Sequence, residues 1–432
     1  MPRFIGEALM RTKKQLLFLS LMVLFVYGAL EIVSAVTLWL GVGALPPEVT
    51  RARETGEGVF IPSPDVTLPA HLAVLSLHPY LGYVYDRDRA EGFSNHGFTS
   101  ETVYPKSDGQ FVVGIFGGSV ADQLFVKRQT LEAELKKIPG LNQKKIVFAN
   151  LAIGGFKQPQ QLMALTYMLS LGAHFDVVIN IDGFNEVTLP VDENLPNHVF
   201  PFFPRQWHIL TMNTIDPYQA RLIGKITTFR ELNLWMAEIF SSFPLRYSFT
   251  AGLIGGLMHQ LIDTRLSHWR LMLQQQRSDP STLFYANRGP DYRALSSEQT
   301  FRDLAEVWAQ SSLQMARLCA ANGIRYFHFL QPNQYLPNTK PMGKEERQVA
   351  YREDQPYQAE VVSGYPYLIE KGKMLSSQEV QFFDLTQIFV SRPESIYGDS
   401  CCHFNDRGLE ILNTFIGQMV TNVFQKSGQE NR

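Results

Sequence analysis

Cysteine is almost missing from this chain: Cys319, Cys401 and Cys402 are the three among 432 residues, and no CxxC pair occurs. A disulfide framework of the kind that staples small exported modules is excluded. No HxxxH pair and no acidic cluster accompany them, so no metal site is indicated. A GxxxxGK[ST] phosphate loop is also lacking, and no cofactor is expected. Neither charge sign dominates, with 39 Lys and Arg against 41 Asp and Glu. Nothing in bulk electrostatics draws in a polyanion, and nucleic acid is not expected as a partner. Charged residues make up only 19% of the chain, against about 25% in ordinary globular proteins. What replaces them is apolar: 45% hydrophobic residues, including 30 Phe. That composition excludes disorder and points to a membrane or a heavily buried surface.

The apolar excess is concentrated near the start. From Leu16 to Leu40 the one charge is Glu31, and 25 helical residues reach about 37 Å against the roughly 30 Å of a hydrocarbon core. A cleaved signal has a shorter apolar region closed by small residues, whereas this run continues past Ser34 and Ala35 to Ala44, so a retained transmembrane anchor is expected. Arg3, Arg11, Lys13 and Lys14 precede the span, and Arg51 and Arg53 follow it among three glutamates. The positive-inside bias places the N-terminus in the cytoplasm and the rest outside an inner membrane, in a periplasm if the source is Gram-negative. Glu31 within the span costs about 2.5 to 3.5 kcal/mol if unpaired. It either snorkels at the outer interface or contacts another membrane protein.

The expected organisation is a basic cytoplasmic segment (1–15), a transmembrane helix (16–40), a linker (41–75) rich in Pro, Glu, Arg and Thr, and a folded domain (76–425). Strands are predicted over Phe111–Phe116, Lys145–Ala149, Asp176–Ile181, Arg325–Leu330 and Gln381–Leu385. Helices are predicted from Val120 to Lys137, over Leu304–Ala321 and over Leu409–Phe424. This alternation implies an α/β, doubly wound parallel sheet of the flavodoxin-like, three-layer kind. An insertion (189–300) separates the third and fourth strands and carries Phe200-Pro201-Phe202-Phe203-Pro204 and the apolar helical stretches Leu232–Phe243 and Phe249–Ile262. Such an insertion ordinarily forms a lid or a helical subdomain. Its helices are too short for a second span, though a hairpin facing the membrane or a partner is an alternative.

Four strand ends carry candidate chemistry. In Gly117-Gly118-Ser119-Val120 the serine follows the first core strand at a helix N-terminus, the edge where open α/β sheets bind ligands. Asn150-Leu151-Ala152-Ile153-Gly154-Gly155 follows the second strand, where the Gly155 amide can point into the same space. Asp182-Gly183-Phe184-Asn185-Glu186 follows the third and offers the Asn185 amide to an oxyanion. Before the last helix, Asp399-Ser400-Cys401-Cys402-His403 sets a carboxylate four residues ahead of an imidazole, so that Asp399 can orient His403 to take the serine proton. Each also has a plain reading, as an N-cap serine, an ordinary Asn-Gly turn or a structural histidine. An orienter other than Asp399, either Ser400 or a backbone carbonyl, remains open, and Cys401 and Cys402 read as packing residues before redox ones.

Taken in this order, Ser119, Gly155, Asn185, then Asp399 with His403, the blocks resemble the SGNH (GDSL-like) hydrolase superfamily, more narrowly its membrane-anchored bacterial members. Gln331-Pro332, Asn405 and Gly408 are similar to that group as well. Two departures stand out: Gly-Gly-Ser-Val replaces Gly-Asp-Ser-Leu, and the aspartate precedes the histidine by four residues where three is usual. The resemblance implies a serine ester hydrolase with Ser119 as nucleophile and oxyanion amide, Gly155 and Asn185 completing the oxyanion hole, His403 as general base and Asp399 as its orienter. An α/β-hydrolase fold is the rival, because Gly117-Gly118-Ser119-Val120-Ala121 is one small residue away from GxSxG, but there the nucleophile comes after several strands. The substrate expected for an anchored domain is an O-acyl group on a cell-surface glycan or lipid. An O-acyltransferase on the same scaffold and a non-catalytic assembly protein are the alternatives, with a membrane-protein partner met through Glu31 or the 189–300 insertion.

Overall fold

The computed structural model describes residues 2–42, 70–100, 109–211, 217–278 and 285–430. Most of the expected linker, 43–69, and the side chains of Arg3 and Arg11 lie outside the described residues. The chain divides into two compact units, one formed by 1–67 with 214–283 and the other by 68–213 with 284–432.

The larger unit opens with an antiparallel hairpin, β1 (Leu75–His78) and β2 (Gly82–Tyr85), too short to show in the hydrophobic pattern. Five strands follow: β3 (Gln110–Gly117), β4 (Lys145–Asn150), β5 (Val177–Asp182), β6 (Arg325–Leu330) and β7 (Gln381–Asp384). All pair in parallel in the order β4-β3-β5-β6-β7. The chain enters at β3, winds outward to β4, then returns to β5 on the other side, so the topological switch point lies at the carboxyl end of β3. Every one of the five predicted strands is present, with ends within one residue of the apolar runs. A strand covered on both faces needs side chains that bury in both directions, and all six residues of β5 are buried.

Alternation along the strands assigns the two faces. Val112, Phe116 and Val178 pack beneath α4 (Gln160–Ser170), α8 (Ser297–Ala321) and α9 (Tyr357–Ser377). Phe111, Val113, Ile115, Ile179 and Ile181 pack on α2 (Ser119–Val126), α3 (Arg128–Leu135) and α10 (Asp406–Glu430). The single helix predicted from Val120 to Lys137 is thus two, broken at Lys127. Asn413 of α10 explains the break, because its buried amide donates to the carbonyls of Leu124 and Lys127, both at 3.2 Å. A helix ended there has its free carbonyls satisfied from outside.

One buried carboxylate ties three elements together. Asp182, the last residue of β5, accepts from Trp308 Nε1 of α8 at 2.7 Å, from Asn180 Nδ2 at 2.7 Å, and meets His328 Nε2 of β6 at 2.8 Å. Next along the chain, Glu186 is buried and closes the first turn of α5 (Phe184–Leu189) by accepting the Gly183 N–H at 2.7 Å. It also takes the Gln158 N–H at 3.0 Å, and burial, with the Asp182 charge, pushes its carboxyl up to about 8.

In the smaller unit, α1 (Pro2–Val42) contains the one helix among the described residues, Lys13–Leu40, long and apolar enough by composition to cross a membrane. The two stretches predicted helical within the insertion belong to longer helices, α6 (Pro217–Ser241) and α7 (Phe249–Ser278). These form a hairpin whose core is Ile226, Met236, Ile262 and Leu266, with the Phe229 and Trp269 rings edge-to-face at 4.7 Å. The hairpin's turn meets α1 through Glu31. Its carboxylate accepts the Phe249 N–H at 2.6 Å, the Thr250 N–H at 3.4 Å and the Ser248 hydroxyl, and Ser34 bonds Thr250 at 3.2 Å.

Removing the Asp182 carboxylate strands an indole N–H, an amide and an imidazole in the core. Asp182→Ala should therefore lose on the order of 3 to 5 kcal/mol, read as a lowered urea midpoint of the detergent-solubilised protein. A midpoint unchanged from wild type would show that the node contributes little.

Candidate active site

The turn after β3 is built for close approach. Gly117 has φ +141°, and a Cβ there would fall 2.1 Å from the Ile181 carbonyl oxygen, so the chain can reverse over β5 only with glycine. Gly118 is in an ordinary extended conformation, but a Cβ on it would stand 2.2 Å from Asn185 Nδ2. An aspartate at 118, as in the Gly-Asp-Ser-Leu string, would push the Asn185 amide from the place it holds here. Ser119 follows as the first residue of α2, where backbone N–H groups have no partner within the helix and the dipole favours negative charge.

His403 Nε2 lies 2.8 Å from Ser119 Oγ, and its Nδ1 lies 2.5 Å from Asp399 Oδ2. The other Asp399 oxygen accepts the N–H groups of Cys401 (2.9 Å), Cys402 (3.1 Å) and His403 (3.2 Å). With the two residues four positions apart, one carboxylate can shape the turn and still hold the ring. Ser400 does not face the imidazole: its hydroxyl and carbonyl both receive Gln355 Nε2, and its carbonyl also receives the Tyr335 hydroxyl at 2.7 Å. The segment after β6 fastens the loop further, with Gln334 Nε2 on the Asp399 carbonyl at 3.0 Å.

Burial works to raise the Asp399 carboxyl, but the hydrogen bond and charge of His403, with the loop N–H groups, outweigh it and hold the carboxyl far below the usual carboxylate range. For His403, burial works to lower the imidazole, while the Asp399 bond and charge prevail and raise it. The result is an imidazole poised to gain a proton and a carboxylate that does not.

Asn185 is fixed by donating Nδ2 to the Phe156 carbonyl at 2.7 Å, which leaves its amide directly beside Gly118. Gly155 adopts φ +81°, and a Cβ there would meet Arg205 Cδ at 2.0 Å. Arg205 forms a two-pronged ion pair with Glu193. Neither residue has a motif around it, and only the position of Arg205 directly after the Phe-Pro-Phe-Phe-Pro string could have drawn attention. That string is clasped by Lys157, whose buried ammonium donates to the carbonyls of Pro201 and Phe203, both at 2.5 Å. Burial pushes Lys157 down to about 7 against the opposing charges of Glu186 and Glu193. Asn150, which opens the block after the second strand, and Asp122, neither given a role by the sequence, join at 2.6 Å behind the serine turn, with Thr99 on the same amide.

Among the described residues, the group whose donor atoms could converge on a metal ion is Cys401, Cys402 and His403. Both His403 nitrogens are already engaged by Ser119 and Asp399, so an ion there would displace the relay. Cys402 is buried, Cys401 partly so, and their sulfurs stand 3.1 Å apart as free thiols.

The pair of bonds on His403 has a spectroscopic consequence. Its imidazole should titrate above the ordinary histidine value, assigned in NMR by the signal lost in His403→Gln. Asp399→Asn removes the negative charge that raises it and leaves burial, which lowers it, so the titration should move to lower pH. An unmoved titration would mean that Asp399 does not govern the ring.

No protein-family model and no curated protein matches this sequence. Among solved structures, the chain is similar to an acylhydrolase candidate from Bacteroides fragilis, with 11% identity over 74% of this chain and 89% of the other and a TM-score of 0.32. It is also similar to a GDSL-like lipase from Bacteroides thetaiotaomicron, with 10% identity over 75% of this chain and 91% of the other and a TM-score of 0.31. Likeness of this degree carries no chemistry across, so any assignment of activity stands on the site's own geometry.

Proposed function

We propose that this protein is a membrane-anchored serine hydrolase acting on ester bonds outside the cytoplasm, with O-acyl groups of a cell-surface glycan or lipid as substrate. The observation that carries the reading is the continuous relay from Ser119 Oγ through both nitrogens of His403 to Asp399, assembled from the first core strand and the last loop.

In the proposed reaction, Ser119 Oγ attacks the ester carbonyl as its proton passes to His403 Nε2. Negative charge develops on the carbonyl oxygen, met by the Ser119 N–H at the start of α2, the Gly155 N–H and the Asn185 amide. Collapse breaks the ester bond, and His403 returns the proton to the departing alcohol. Water, deprotonated by the same imidazole, then releases the acid and restores the serine. Asp399 stays ionised throughout and stabilises the imidazolium. A sugar hydroxyl in place of water would make the protein an O-acyltransferase. Retention of α1 as the anchor is supported by its specific bonds to the α7 N-terminus, which a disposable leader has no reason to make.

A fluorophosphonate probe should label the folded protein at Ser119, and Ser119→Ala should abolish both labelling and turnover of p-nitrophenyl acetate. Asn185→Ala should lower the rate by about a hundredfold to a thousandfold, and Asp399→Asn by up to about ten-thousandfold. Because the base must be neutral, kcat/KM should fall as pH drops through the raised His403 pKa. Product analysis with an oligosaccharide acceptor separates hydrolysis from transfer. An unlabelled wild type, under conditions that label a known serine esterase, would favour the non-catalytic assembly role.

A further inference from the structure

The α6/α7 hairpin carries most of its charges away from its turn. Residues 217–231 hold Arg221, Lys225, Arg230 and Glu231, and residues 263–278 hold Asp263, Arg265, Arg270 and Arg277. Between them, over 232–262, the charged residues are Glu238 and Arg246 alone. In that stretch large apolar side chains are exposed: Trp235 at 59%, Phe243 at 79%, Leu257 at 55% and Leu261 at 69%. Trp235, Ile239, Phe240, Met258 and Leu261 line a groove of ≈ 430 Å³ between the two helices.

The same turn is joined to the middle of α1. Along α1 the partly or wholly buried positions are Gly28, Glu31, Ser34, Ala35 and Leu38, whereas Leu16 to Tyr27 are all exposed. This three-and-four spacing is one helical face, and it ends at the level of the hairpin's turn. If the hydrocarbon core begins at Leu16, 20 residues carry it to Ala35 and the full run carries it to Leu40. Glu31 then lies between about 6 and 14 Å inside its far surface, within one leaflet of a core about 30 Å thick.

We infer that the α6/α7 hairpin enters that leaflet beside α1, and that its apolar groove takes lipid acyl chains. The inference rests on α1 being a retained membrane anchor. Two features that are unfavourable apart become favourable together. A carboxylate within a span requires a partner, and a helix beginning at membrane depth leaves N–H groups that lipid cannot satisfy. Glu31 accepts from Ser248, Phe249 and Thr250, supplying each with what it lacks. The hairpin's exposed apolar side chains belong to the same unit as the exposed apolar side chains of α1, to which its turn is bonded, and this points to lipid as its occupant in preference to a protein. Arg246 stacks on the Tyr247 ring at 4.6 Å, and its long stem can carry the charge toward headgroup phosphates.

The full-length purified chain, reconstituted in phosphatidylcholine liposomes containing a phospholipid with a diazirine in its acyl chain, is irradiated and mapped by peptide mass spectrometry. Label is expected in α1 and in peptides from 232–262, and not in α8 or α9. Glu31→Ala should reduce the hairpin label several-fold while leaving the α1 label in place. A labelled α1 with a bare hairpin would overturn the inference alone, including the case in which a protein partner covers the groove. A bare or missing α1 would overturn the anchor reading and the inference with it.

Discussion

Asp182 is the constraint on which the arrangement of the α/β unit turns. A carboxylate without access to water must find donors, and those it finds come from β5 itself, from β6, from α8 and from Gln158 after β4. β5 is thereby tied to the consecutive elements α8 and β6, more than 100 residues later in the chain, at the carboxyl edge of the sheet. Immediately beyond, Gly183 turns the chain and Glu186 closes that turn, so the position of Asn185 is inherited from a buried node a few residues away. Preorganised donors are useful to an enzyme only when they do not move as charge develops. Here the rigidity comes from buried polar groups that satisfy one another.

Most of this scaffold was legible because parallel strands covered on both faces must be apolar runs, and five such runs occur. Ser119, Asn185 and His403 could be singled out because each follows a run or precedes a helix at the same edge. What could not be read depends on contacts across the fold. Nothing near Lys127 announces a helix break, since the cause is Asn413 nearly 300 residues later. Arg205 and Glu193 lack a motif, and the crowding at 118 depends on where the Asn185 amide comes to rest. The spacing of Asp399 from His403 looked like a departure when counted along the chain. In three dimensions the extra residue is absorbed by three N–H groups curling around Oδ1.

The smaller unit shows compensation of another kind. Glu31, taken alone, reads as a defect in a hydrophobic helix, and the start of α7 reads as an ordinary helix terminus. Their hydrogen bonds join two segments more than 200 residues apart and give the long insertion a fixed point on the first helix. An insertion tethered in this way is a structural extension of that helix.

The double use of Asp399 also bears on how the proposed enzyme would behave in acid. When the pH falls, His403 takes up a proton first and Asp399, held so low, keeps its charge. The imidazolium then faces a full carboxylate whose second oxygen is still wrapped by the loop, so the protonated state is the more tightly knit of the two. Chemistry stops while the architecture of the site is reinforced. If the proposed enzyme works outside the cytoplasm, a drop in external pH would thus leave it in an inactive, intact form, ready to resume work on neutralisation without refolding its catalytic loop.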